Sequence, residues 1–240
     1  MSIDIVRNWY QSSYQIYKSK AQRKYPNEEM IRFLGRNLFS IPMNERSNIR
    51  ILDLGCGNGA NTQVLCKEGF DVYGLDISSE AVDLCRMNLD KWGLKANLRV
   101  ADMSKLDYPD NYFDVIIDVF SGYCLDGERF GRFIKSVYRC LKPDGLFFSY
   151  YPSKNSDAFT NYLPAQKIDA CTLSGIYRDD SPYSGNHYNF RFMYPKEYEQ
   201  VILKNGMKLK YLETIGRTYR KMTEYFEHIV IVGQKILNFD

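Results

Sequence analysis

Ile49-Arg50-Ile51-Leu52-Asp53-Leu54-Gly55-Cys56-Gly57-Asn58-Gly59 is the stretch that decides the fold. A short apolar run, long enough for a buried strand and too short for a helix, empties into three closely spaced glycines. Glycines at such a junction let the backbone turn sharply and let a ligand approach without Cβ obstruction. A strand that ends this way and is followed by a helical pattern opens an α/β unit.

Working outward from that loop, strands and helices alternate. Asp71–Asp76, Ala96–Ala101, Phe113–Asp118 and Leu146–Tyr151 read as the second to fifth strands. Ala81, Leu84, Cys85 and Met87 mark a helix capped by Ser78 or Ser79. Phe130, Phe133, Ile134, Val137, Tyr138 and Leu141 form one apolar helical stripe, stopped by Pro143 and Gly145. Alternation of this kind builds a parallel sheet covered on both faces. After a short helix from Pro195 to Asn205-Gly206, Met207–Thr214 and His228–Gln234 follow with no helical pattern between them. They are expected as antiparallel neighbours at one side of the sheet. The fold class expected is therefore α/β, with a seven-stranded, mostly parallel sheet of order 3-2-1-4-5-7-6 whose last strand is antiparallel.

The 240 residues carry no internal repeat or Pro/Gly-rich linker, and one domain spanning 1–240 is the economical reading. Residues 1–40 read as an aromatic-rich helical cap, and 152–193, which fit neither helical nor strand period, as an inserted lid. A net charge of +3 gives no footprint for nucleic acid or an anionic membrane. The start shows no basic run followed by an apolar stretch, and no window reaches the length of a membrane span, so a cytoplasmic setting is expected. The six cysteines show no CxxC pair or metal-ligand spacing; reduced thiols and no metal are expected.

Gly55-x-Gly57-x-x-Ala60 also satisfies the nicotinamide-dinucleotide fingerprint, so a dehydrogenase is an alternative. Four carboxylates argue against it. Asp53 precedes the first glycine by two residues, where it would repel a pyrophosphate and welcome an ammonium group. Asp76 ends the second strand, where a carboxylate can accept from both ribose hydroxyls. Asp102 follows the third strand with Met103 beside it, an acceptor for an exocyclic amine and an apolar cover for a purine. Asp118 ends the fourth. Such a set suits a cationic, phosphate-free nucleoside better than an anionic dinucleotide.

With these motifs in place, the sequence resembles the class I S-adenosylmethionine (SAM)-dependent methyltransferases over roughly residues 30 to 236, a Rossmann-like three-layer sandwich. Asp53–Gly59, Gly74–Ser78, Val100–Met103, Phe113–Asp118 and Leu141–Gly145 match that family's successive motifs. The resemblance implies SAM as cofactor, with Gly55, Cys56, Gly57 and Gly59 against its methionine part and ribose. It implies that Asp53 orients the amino group, Asp76 the ribose and Asp102 the adenine amine. Ile77 and Met103 would sandwich the ring, with Asp118 and Val119 facing the methionine moiety.

The methyl acceptor is read as a small molecule, through an O or N that the sequence does not distinguish. After the fourth strand the chain continues Asp118-Val119-Phe120-Ser121, unlike the enzymes of this fold that methylate nucleic-acid bases, and Cys124 has no preceding proline. Tyr14, Tyr17, Tyr123, Tyr151 and His187 are the candidates for contact with the acceptor. Ser153, Asp157, Tyr162, Tyr177, Arg178, Tyr183, Tyr188 and Arg191 supply further polar and aromatic groups in the lid. No side chain identifies itself as a general base. The alternatives are an RNA or protein methyltransferase of the same fold, or a SAM-binding protein without catalysis.

Overall fold

The computed structural model describes residues 23–236 together with Arg7, Asn8 and Ser12, which are helical and exposed. The rest of the expected N-terminal cap, Tyr14 and Tyr17 included, lies outside the described residues.

Among the described residues seven strands form one sheet. They are β1 (Arg50–Leu54), β2 (Asp71–Asp76), β3 (Asn97–Val100), β4 (Phe113–Val119), β5 (Leu141–Pro152), β8 (Met207–Tyr219) and β9 (Glu224–Lys235), in the order β3-β2-β1-β4-β5-β9-β8. β9 pairs antiparallel with both β5 and β8, so it alone runs against the others. This is the expected order, with the last two strands renumbered because β6 (Thr172–Leu173) and β7 (Phe190–Arg191) form a separate antiparallel pair.

Alternation along the strands sends side chains to two cores. On one face Ile51, Val115, Ile117, Phe148 and Val230 pack against Phe33 and Leu34 of α1 (Glu28–Asn37). On the other, Leu52, Ile116, Phe147 and Ile231 meet Phe133, Ile134 and Val137 of α4 (Gly127–Cys140). The helices start where polar caps allow. Asn27 accepts from the Met30 amide at 3.0 Å, and Asp126 from the Arg129 amide at 2.9 Å. Ser78 caps α3 (Ser79–Asp90) by accepting from the Ala81 amide at 3.2 Å. α2 (Ala60–Lys67) starts instead from Gly59, in the left-handed region at φ 87°.

Several boundaries differ from the sequence reading. β8 runs on to Tyr219 and β9 starts already at Glu224, beyond the expected Thr214 and His228. β5 begins at Leu141 rather than Leu146, because Leu141 pairs with Phe113 across an irregularity in the ladder before the regular pairing of Val115 with Leu146. Residues 152–193 are also not structureless. They hold α5 (Asp157–Thr160) and the β6–β7 pair, and they return to their starting point, where the Lys154 amide donates to the Met193 carbonyl at 2.9 Å. Phe159, Leu173, Ile176, Tyr188, Phe190 and Phe192 are buried in the same core as Phe147 and α4. At about 25 cal/mol per Å² of apolar surface, six such side chains bind the segment to the body of the protein. The chain ends this layer with α6 (Pro195–Lys204), whose Tyr198 is fully buried.

Candidate functional site

At the C-terminal ends of β1, β2 and β4 lies a cleft of about 520 Å³. Strand order reverses between β1 and β4, and open α/β sheets form their ligand crevices at that position.

One wall is the glycine loop and the end of β2. The Cys56 amide donates to the Leu75 carbonyl at 2.9 Å, carrying the β1–β2 pairing into the loop. Gly55 has φ 65°, and a Cβ there would lie 2.4 Å from Ser121 Cβ, so the turn excludes any side chain. Asp76 lines the cleft with only 8% of its surface exposed. Its carboxylate accepts from the Gly57 amide at 3.0 Å and the Ser78 amide at 2.9 Å. Burial pushes its pKa up, against the lowering effect of these amides. Ile77 and Met103 lie on the same wall, with Val119 at the junction.

The opposite wall is aromatic. Phe120, Tyr123, Tyr150, Tyr183 and Tyr188 line it, with Asn186 between the last two. Phe120 sits at φ 57°, a strained region for a bulky residue, and its ring stacks on Tyr183 with centroids 4.6 Å apart. The hydroxyls of Tyr123 and Tyr188 are 2.5 Å apart. Cys124 also reaches the cleft, but its Sγ donates to the Ser121 carbonyl at 3.0 Å and burial pushes the thiol up to about 12. It is not a nucleophile at neutral pH.

The remaining sequence candidates fall elsewhere. Asp53 is 1% exposed and lies behind the wall, accepting from Thr62 Oγ1 at 2.7 Å; burial raises it to about 6. Gly59 belongs to the adjoining hollow near Trp92. Asp102 is engaged by Arg129 Nη2 at 3.0 Å and by the Ser104 amide at 2.9 Å, and is not part of the cleft wall. Asp118 is fully buried. Its Oδ1 accepts from the Ser121 and Gly122 amides at 3.1 and 2.9 Å and lies 2.6 Å from Ser121 Oγ, while Oδ2 accepts from Ser149 Oγ at 2.9 Å. That carboxylate holds the turn carrying Phe120 and Tyr123 and has no side open to the cleft.

Tyr151 points to the face away from the cleft, buried against Tyr198 with centroids 5.0 Å apart, while its neighbour Tyr150 lines the wall. His187 is exposed and stacks on Tyr177 at 4.7 Å, outside the cleft that Asn186 and Tyr188 line. Of the candidates, the structure brings together Gly55, Cys56, Gly57, Asp76, Ile77, Met103, Val119 and Tyr123.

Sequence reading missed Phe120, Tyr150 and Arg23. Arg23 lines the rim within 3.3 Å of Asn61 Oδ1, and its carbonyl accepts from Asn58 Nδ2 at 2.8 Å. The stretch Asp118–Ser121 had flagged Phe120's position but not its role; nothing local marked Arg23. Among the described residues no group of three or more His, Cys, Asp or Glu could hold a metal, and no helix is long and apolar enough to cross a membrane.

The residues fit a methionine-bearing nucleoside. A side-chain-free turn, a carboxylate on the cleft wall, and apolar side chains at Ile77 and Met103 suit ribose and purine.

The model of a methyltransferase domain family matches residues 51–145. A ubiquinone biosynthesis O-methyltransferase of Pelagibacter ubique is 26% identical over 192 residues, 78% of this chain and 75% of that protein. A SAM-dependent methyltransferase from Methanosarcina mazei superposes with a TM-score of 0.66 at 25% identity, covering 79% of this chain and 93% of that one. The fold is shared with the 1,6-didemethyltoxoflavin-N1-methyltransferase of Burkholderia thailandensis, solved with S-adenosylhomocysteine: TM-score 0.70, 16% identity, 97% of this chain and 88% of that one.

Proposed function

For a chain that belongs to the class I SAM-dependent methyltransferases, we propose a division of the cleft in which the glycine-loop wall holds SAM and the tyrosine wall holds a small aromatic molecule methylated on a hydroxyl oxygen. The observation that carries this reading is the asymmetry of the walls, one built of backbone and a single carboxylate, the other of Phe120, Tyr123, Tyr150, Tyr183 and Tyr188. Bound SAM supplies an electrophilic methyl group on a sulfonium. The chain's own residues then have to align and to keep water out.

Asp76 would accept from the ribose hydroxyls, its carboxylate already fixed by the Gly57 and Ser78 amides. Ile77 and Met103 would cover the adenine, and Arg23 at the rim is placed to meet the carboxylate of the methionine end. On the other side, tyrosines offer apolar faces with polar tips, the chemistry that cups an aromatic ring and reads its substituents. The choice of oxygen over nitrogen draws on the O-methyltransferase relative. Asp53, Asp102 and Asp118 act behind the walls, as supports of the loop, of α4 and of the 120–123 turn.

The test is methyl transfer from labelled SAM to matched phenols, anilines and thiophenols, with SAM binding measured separately by calorimetry. Transfer to phenols well above the others is expected. Transfer confined to the nitrogen or sulfur series would overturn the choice of atom, and absence of SAM binding would overturn the site.

A further inference from the structure

His228, on β9, lies behind the tyrosine wall in an aromatic cage. Its ring stacks on Tyr150 with centroids 4.5 Å apart and 12° between planes, and meets Phe226 at 4.8 Å and Phe120 at 5.4 Å. Only 2% of the residue is exposed. Its Nε2 is 2.9 Å from the hydroxyl of Tyr183, while Nδ1 is buried with no partner among the described residues. Burial, helped by Arg217, depresses the imidazole to about 3, so it is neutral at working pH and holds one proton.

The position of that proton follows from what each nitrogen faces. On Nδ1 it would be a buried N–H with no acceptor, whereas a bare Nδ1 leaves only an unused lone pair. Orphaned buried donors are rarer than under-used acceptors. The proton therefore belongs on Nε2, which donates to Tyr183 Oη. That bond takes one lone pair of the phenol and leaves its own O–H free to point elsewhere. Tyr183 lines the cleft, and burial pushes its hydroxyl well up, so it stays a phenol.

We propose that Tyr183, held by the Nε2–H of His228, is a fixed hydrogen-bond donor that selects acceptors carrying a second oxygen lone pair, such as a carbonyl or ether, besides the hydroxyl to be methylated. This rests on the reading of the tyrosine wall as the acceptor site. The pair is not a proton relay: a phenol whose oxygen receives from an N–H, beside an imidazole that does not take up a proton, removes none from a substrate. A donor aimed at the attacking oxygen would draw electron density from it and weaken it as a nucleophile, so the target that helps the reaction is another atom. His228 is accordingly a positioning residue and Tyr183 the specificity residue.

The chain has two histidines, so the test begins without any acceptor. Nitrogen-15 NMR of the imidazole in a His187→Gln protein reports His228 alone, and a neutral ring protonated on Nε2 is expected from about pH 5 to 9. A proton on Nδ1, or an imidazolium at pH 7, overturns the proposal. The second measurement compares binding of the hydroxyacetophenones with their isosteric isopropylphenols in the presence of S-adenosylhomocysteine. The carbonyl series should bind about three- to tenfold tighter, the usual worth of one hydrogen bond. Tyr183→Phe should abolish the preference. His228→Gln, whose amide can still donate, should retain more of it than His228→Leu. Equal binding of the two series, or binding of neither, overturns the assignment. Failure of SAM itself to bind would instead remove the site reading on which it stands.

Discussion

On one side of the cleft, Gly55, Gly57, Asp76 and Ile77 come from the ends of β1 and β2, hydrogen-bonded neighbours in the sheet. On the other, Phe120, Tyr123, Tyr150, Tyr183 and Tyr188 come from three stretches of chain that meet only in the folded protein. The first wall is a property of local backbone: a loop without side chains, a carboxylate fixed by two amides. The second is a property of packing, each ring placed by the rings behind it. Backbone walls can keep one ligand constant, and side-chain walls can change their ligand by substitution.

Asp118 sits where the two walls join, and replacing it should hurt both. Asp118→Ala leaves the Ser121 and Gly122 amides and the Ser149 hydroxyl without their buried acceptor, while Ser121 Oγ keeps the Leu54 carbonyl at 2.8 Å. At about 1–3 kcal/mol for each unsatisfied group, partly relieved by relaxation, a loss of about 3–5 kcal/mol in urea unfolding is expected. A loss below 1 kcal/mol would mean the 120–123 turn is held by something else.

Asp53 sharpens the contrast from behind the backbone wall. Its folded pKa is raised from 3.8 to about 6 by burial, so the folded state holds its proton more tightly than the unfolded chain. That stabilisation is complete below about pH 4 and is lost as the pH rises through 6. Relative to Asp53→Asn, the wild type should lose about 3 kcal/mol between these limits, from 1.4 kcal/mol per unit. Unfolding curves of both proteins across the range give the difference, and a flat one would place the carboxylate in contact with solvent.

On the wall itself, Asp76→Ala should weaken SAM binding by about 1.5–3 kcal/mol, the range for hydrogen bonds to a charged group, while leaving the aromatic wall intact. Calorimetry on the folded variant decides; unchanged affinity would put the ribose elsewhere. The smallest effect belongs to the packed wall. Tyr123→Phe removes the 2.5 Å contact with Tyr188 and should cost about 1 kcal/mol of stability, with SAM affinity unaltered. A fall in SAM affinity there would show that the two walls are not separate.

The same division governs what could be read from the sequence. The strand order was legible from period and spacing, and the cluster Gly55, Gly57, Asp76, Ile77 and Met103 from the glycine loop, the strand-end acid and the family resemblance they carry. Asp53 and Asp118 were found as strand-end acids, but which of four such acids turns toward ligand depends on donors such as Thr62 and Ser149, brought in by tertiary folding. Tyr151 was chosen where Tyr150 lines the cleft. Successive residues of a strand face opposite ways, and a strand buried on both faces gives no polar alternation to set the phase. The 152–193 segment reads in sequence as a lid of neither period because its burial is supplied by partners distant in sequence. Phe159 and Phe190 now show that excising it would open the main core.

One consequence of the reversed strand concerns where a change of chain length would be felt. β5 ends at Pro152, opposite His228, but β8 and β9 stay paired to Tyr219 and Glu224. The extension of four residues, at about 3.3 Å each, carries a turn about 13 Å past the strand ends. Its base is anchored where buried Glu224 meets Arg178 at 2.5 Å, on the segment that bears Tyr183. A hairpin tip tolerates insertion and deletion without disturbing the ladder below. A change of length at 220–223, where Met222 is 80% exposed, would therefore be felt at the tyrosine wall through Arg178 before it reached any helix.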